Sequence, residues 1–244
     1  MSDFDRNYSA ARGFGADRAA AIDQGLRAHM IRVYNYMASG VALTGVIAFV
    51  VAQYALSDPA FARALYASPL AYVVMLAPLG LVFFLSFRIG HMQASTARLL
   101  FFVYAAMLGL SLSVIFIAYT QASITRVFFV TAASFGALSL WGYTTQRSLD
   151  AMGSFLIMGL FGIIIASLVN IFLKSTGLDW IISVLGVLVF AGLTAWDTQK
   201  IKEMYDVNDD GTVSGRKAIM GALSLYLDFI NLFLMLLRLF GDRR

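Results

Sequence analysis

Two aspartates, Asp197 in LTAWDTQ and Asp228 in LYLDFIN, stand inside apolar runs long enough to be buried in lipid. A charge at the centre of a bilayer costs about 2.5–3.5 kcal/mol on insertion scales, so such residues are rare and face the bundle interior or a water-filled space. Two carboxylates sharing one low-dielectric site cannot both ionise cheaply; they hold a proton between them and titrate as a unit. A divalent cation with hard oxygen ligands would neutralise the same pair. Both a proton sensor and a cation site therefore fit Asp197 and Asp228, and the charges alone do not choose.

The elements that carry them are membrane helices. Hydrophobic residues make up 60% of the 244-residue chain and charged residues only 13%, well outside soluble composition. A span needs about 20 mainly apolar residues. Six such runs are evident: Val33–Leu56, Pro69–Phe87, Leu99–Gln121, Val127–Tyr143, Ala151–Leu173 and Trp180–Ile201. A seventh, Ala218–Phe240, carries Asp228 near its middle and Arg238 near its end. This predicts an all-α membrane protein with seven transmembrane helices in residues 33–244, preceded by a polar tail over residues 1–32. The tail lacks the apolar core of a signal peptide, and a short amphipathic helix is expected near its end.

Basic residues set the orientation. Arg6, Arg12, Arg18, Arg27, Arg32, Arg88, Arg98, Arg147, Lys200, Lys202, Arg216 and Lys217 fall on one side, whereas Arg63, Arg126 and Lys174 fall on the other. The amino terminus is therefore expected in the cytoplasm. Arg243 and Arg244 run against this rule if the seventh span crosses fully. The formal charge of +4 belongs to this topology signal and does not point to nucleic acid. With no cysteine, the chain has no disulfide framework or thiolate metal site, and His29 and His91 fall in segments flanking the spans. Gly109, Gly136, Gly159 and Gly162, with Ser111, Ser113, Ser134, Ser139 and Ser167, are expected to permit close helix approach.

In the seventh span, Gly221, Ser224, Asp228, Asn231, Met235 and Arg238 recur at steps of three and four and share one face. Asp197 lies six residues before Glu203, about 9 Å deep, and Asp228 ten residues past Ala218, about 15 Å deep, at 1.5 Å per residue. A short antiparallel hairpin makes the two helices neighbours, so the aspartates are expected to meet.

AGLTAWDTQKIKEMY followed by GALSLYLDFINLFLMLLRLFG resembles the carboxy-terminal signature of the Bax inhibitor-1, or transmembrane Bax-inhibitor-motif, family. The resemblance implies a central seventh helix wrapped by two three-helix layers, in a bacterial-type inner membrane. It also implies a pH-sensitive calcium leak gated by an aspartate pair, here Asp197 and Asp228, with no cofactor beyond the permeant ion. A basic residue at the cytoplasmic end of the second helix, for which Arg88 is the candidate, would latch onto the pair. Arg238 matches the family's late arginine, and Asn231 and Ser224 would support the gate. Some members partner that arginine with a glutamate midway along the second helix. Here the stretch is LAPLGLVFFLSF, with Gly80 near that position, so Arg238 is expected to find a backbone carbonyl, water or headgroup.

Two further classes compete. A regulator that binds other membrane proteins without transport fits the absent second-span acid. An intramembrane aspartyl protease would need GxGD at the second aspartate, and Leu225-Tyr226-Leu227-Asp228 lacks both glycines. The loop Asp206–Lys217 carries Asp206, Asn208, Asp210 and Gly211 at EF-hand positions but Lys217 where a bidentate glutamate belongs. A solvated acidic turn is the expected structure there.

Overall fold

In the structure, a computed structural model, the backbone is described from Asp3 and the side chains from Ile22 to the carboxy terminus. Arg6, Arg12 and Arg18 of the predicted tail lie outside the described side chains. Among the described residues eight α-helices follow one another: α1 (Asp3–Ser57), α2 (Pro59–Tyr66), α3 (Leu70–Arg88), α4 (Ala94–Ala118), α5 (Gln121–Thr144), α6 (Asp150–Leu173), α7 (Thr176–Glu203) and α8 (Gly211–Phe240), with a 3-10 turn at Ile89–His91 after α3. All but α2 are long and apolar enough to cross a membrane. The seven predicted spans are these seven helices.

Two boundaries differ from expectation. Helix α1 runs on ahead of Val33 without a break, so the end of the predicted tail and the first span form one helix rather than two. His29 consequently sits within α1, buried, with its ring 5.8 Å from that of Tyr205. The short α2 was not foreseen. Asp58 starts it, its carboxylate accepting from the Ala60 and Phe61 amides, with Pro59 at the first helical position.

The helices assemble as two layers around α8. In one layer α4 packs on both α1 and α3; in the other α7 packs on both α5 and α6. Helix α8 lies between them against α1, α4, α5 and α7. Its apolar stretch is 67% buried, against 11% for α3 and for α6. Those two helices form the flanks, where Phe87 and Phe172 are exposed for want of any protein neighbour and require lipid as solvent.

Close approach within the layers depends on particular glycines. A Cβ on Gly142 of α5 would meet the Ala195 carbonyl oxygen of α7, and one on Gly109 of α4 would lie 2.7 Å from the Thr44 carbonyl oxygen of α1. The packing expectation fails at Gly136 and Gly162, where a Cβ would meet nothing within 4 Å.

The carboxy terminus settles how far α8 travels. Thr120 N donates to the Asp242 carbonyl and Arg244 N to that of Ala118, both at 3.0 Å. Arg243 lies over the Tyr119 ring. The tail is thus pinned to the α4–α5 turn, at the end of the bundle opposite the α7–α8 loop. Helix α8 therefore runs the full length of the bundle.

Candidate functional site

Asp197 and Asp228 meet because of the register and polarity of the α7–α8 hairpin. Gly221 faces Ile201, and Gly186 faces Met235. Seven residues along from either contact, this register sets Asp228 against Leu193 or Thr194, about one turn from Asp197. Side chains on a helix lean toward its own amino terminus. In antiparallel helices the two carboxyl groups therefore lean toward each other, and both line the same cavity. Asp228 is 4% exposed; Asp197 is half-buried.

Lys200, one turn from Asp197, is the nearby cation, but it does not approach within ion-pair distance. Among the described residues neither aspartate forms an ion pair and the buried Oδ2 of Asp228 has no hydrogen-bond donor. A buried carboxylate oxygen without a donor carries the full desolvation penalty. Protonation of one of the two carboxyl groups would supply such a donor.

The pair opens onto a cavity of about 540 Å³ between α6, α7 and α8. Ser224, Asp228, Asn231 and Met235 all line it, so the middle of the stripe read from the sequence faces one space, while Gly221 and Arg238 at its ends do not. Ile163, Ser167 and Leu168 of α6 form part of the opposite wall. The volume is enough for more than ten waters at about 30 Å³ each. Asn231 is fixed by its own helix, Nδ2 donating to the Leu227 carbonyl at 2.9 Å. No group of three or more His, Cys, Asp or Glu converges among the described residues. A cation here would thus take its oxygens from the two carboxylates, Ser224, Asn231 and water, a hard-ligand set suited to calcium or magnesium.

The remaining site residues stand elsewhere. Arg88 is exposed at the end of α3, makes no ion pair among the described residues and does not line the cavity. Helix α3 packs on α4, and the turn after Arg88 meets the start of α8, where Arg216, twelve residues before Asp228, donates to the Gly90 carbonyl, so the expected latch is not formed. Arg238 lies at the far end of α8, with its guanidinium 3.8 Å from Asp179 in the first turn of α7. Its partner is therefore an acid from α7 rather than a carbonyl, water or headgroup. Sequence reading missed Asp179 because it stands at a helix end, where an acid has an ordinary reason to be.

Two other residues of the WDTQ run also have work. Successive helical residues point about 100° apart, so Asp197, Thr198 and Gln199 address different neighbours. Thr198 Oγ1 shares a 2.8 Å hydrogen bond with Ser139 of α5, and Ser139 a 2.6 Å bond with the Tyr34 hydroxyl of α1. Gln199 Oε1 accepts from the Leu149 amide while its Nε2 donates to the Arg147 carbonyl, which anchors the α5–α6 loop. The motif's polar letters were the available signal.

The EF-hand-like segment is a capped turn. Asp206 accepts from the backbone and side-chain amides of Asn208, which lowers its pKa. Asp210 caps α8 through the Val213 amide, and Lys217 pairs with Asp209 at 2.6 Å. Each of Asp206, Asp209 and Asp210 is committed to the chain itself.

The sequence model of a family described as inhibitor of apoptosis-promoting Bax1 matches residues 26–244. The chain belongs to the Bax inhibitor-1 family. Among its relatives, the inner membrane protein YbhL of Escherichia coli K12 is 48% identical over 223 residues, covering 90% of this chain and 94% of YbhL. A Rickettsia prowazekii protein is 48% identical over 222 residues, covering 91% and 92% of the two chains. A Caulobacter vibrioides protein is 43% identical along the whole of both chains. In this Bax inhibitor-1 family chain, the aspartates of the two signature stretches are the ones that face each other across the hairpin.

Proposed function

We propose that this protein is a calcium leak of the inner membrane, controlled by protonation of the Asp197–Asp228 pair, and not an enzyme. The observation that carries the reading is the donorless Oδ2 of Asp228 beside Asp197, on the wall of a cavity at membrane depth. With the shared proton present, the pair is held together. Removing it leaves two like charges in one buried site, which must separate or take up a cation. Calcium serves that second role, with Ser224 and Asn231 adding neutral oxygens. Met235 packs on Gly186 and Leu237 is buried, so conduction along this seam would require α7 and α8 to move apart. Arg238 and Asp179 hold the same two helices at their other end.

A second reading, a regulator that binds other membrane proteins without transport, draws on one observation. Gly80 carries no acid, and no atom lies within 4 Å of where its Cβ would be, so α3 offers no second carboxylate along a path to the pair.

Calcium flux into proteoliposomes between about pH 6 and 8, where a coupled carboxyl pair can titrate, tests both readings. Wild type is expected to conduct in a pH-dependent way, and Asp197→Asn and Asp228→Asn to lose that dependence. Absence of flux at every pH removes the channel and leaves the regulator. Flux with an unchanged pH profile in both variants keeps the channel and removes the sensor.

A further inference from the structure

Helices α1 and α5 both pack on α8 but hardly on each other. The space between them is a groove of about 930 Å³ on the opposite face of α8 from the carboxylate cavity. Ile31, Ala38 and Ala42 line it from α1, Ala132 and Gly136 from α5, and Phe229, the residue after Asp228, forms its floor. The small side chains keep it open, and at Gly136 a Cβ would meet nothing. A smaller apolar cavity of about 270 Å³ continues it past Val41 and Phe128.

Its chemistry is specific in two respects. Tyr34 and Ser139 on its walls hydrogen-bond to each other, so they need no polar occupant. The charged side chain among its lining residues is Arg27, at one end, exposed and without an ion pair among the described residues. Behind this end, Lys202 Nζ donates to the carbonyl of Tyr143, another lining residue. Asp23, one turn beyond Arg27, is not part of the lining.

Length matches a lipid. From Arg27 to Ala42 the groove follows fifteen residues of α1, about 22 Å at the helical rise. One leaflet's hydrocarbon is about 15 Å deep, half of the 30 Å core. The groove therefore runs from headgroup level past the midplane, with an arginine where a phosphate would sit. A guanidinium's planar donor fork suits that anion.

We propose that the α1–α5 groove is a binding site for one phospholipid, drawn from the leaflet at the Arg27 end, its acyl chain between α1 and α5 and its phosphate on Arg27. The chain fills a dry apolar space that bulk water would not occupy. A lipid there rests on Phe229 without touching Asp228, so the site stands independently of any calcium flux.

Photocrosslinking tests it. The full chain is reconstituted in phosphatidylcholine nanodiscs with a minor share of phosphatidylglycerol carrying a diazirine on its acyl chain. Peptide mapping is expected to place crosslinks on the segments containing Ala38, Ala42, Ala132 and Gly136 in excess of those containing Phe87 and Phe172, the exposed flanks. Arg27→Gln, an exposed change that should not disturb folding, is expected to lower groove labelling several-fold while the flanks stay constant. Ala132→Trp, which fills the groove, should do the same. Labelling spread evenly over the groove and the flanks, or unaltered by Arg27→Gln, overturns the proposal.

Discussion

Asp228 is buried without a counter-ion, and its chemistry follows from what it lacks. In the proposed leak, calcium at the pair would replace a proton held there, so cation and proton would compete. Calcium binding is expected to strengthen as pH rises, and titration calorimetry on the wild type at about pH 5.5 and pH 8 checks the sign. Asp228→Asn should weaken binding and flatten that dependence. A different residue-scale outcome attaches to Asp210, whose carboxylate caps α8. Asp210→Ala should cost about 1 kcal/mol, read as a lower melting temperature with the pH behaviour unchanged.

At the scale of elements, glycine decides which helices can touch. Helix α5 reaches α7 at Gly142, where any Cβ collides with a backbone oxygen that cannot swing away. Gly142→Ala is expected to destabilise the protein by about 1–3 kcal/mol, the usual cost of overpacking. Gly162→Ala, on α6 where the added methyl meets nothing, should be neutral or stabilise by roughly 0.5–1 kcal/mol through helix propensity. Thermal unfolding of the two variants in the same detergent separates packing from propensity. The spread between them also explains why small residues in a sequence mark a membrane helix without saying which of them is a contact.

For the whole molecule, charge and connectivity give a topology that a cysteine-free chain makes easy to read. Single cysteines at Ser148 and Asn208 lie in the α5–α6 and α7–α8 loops at one end of the bundle. Those at Ser175 and Arg244 lie at the other. With the amino terminus cytoplasmic, an impermeant thiol reagent applied to intact cells should label Ser175→Cys and Arg244→Cys and spare Ser148→Cys and Asn208→Cys. The reverse pattern would invert the orientation. Arg243 and Arg244 then sit on the outer side against the basic-residue rule, held there by Tyr119 and the backbone bonds that pin the tail.

Composition and periodicity were enough to specify seven membrane helices, the polar stripe of α8 and the two aspartates, because hydropathy and the 3.6-residue repeat are properties of a single strand of text. The resemblance named the family and the layered arrangement that the helices adopt. Tertiary structure alone decided what stands opposite each residue. It placed Arg88 away from the pair, gave Arg238 to Asp179, joined Thr198 to Ser139 and Tyr34, and left α1 and α5 apart over Phe229. Such partnerships depend on interhelical register and on where packing is incomplete. No local pattern encodes either, since residues far apart in the chain must first be brought to the same depth in the membrane.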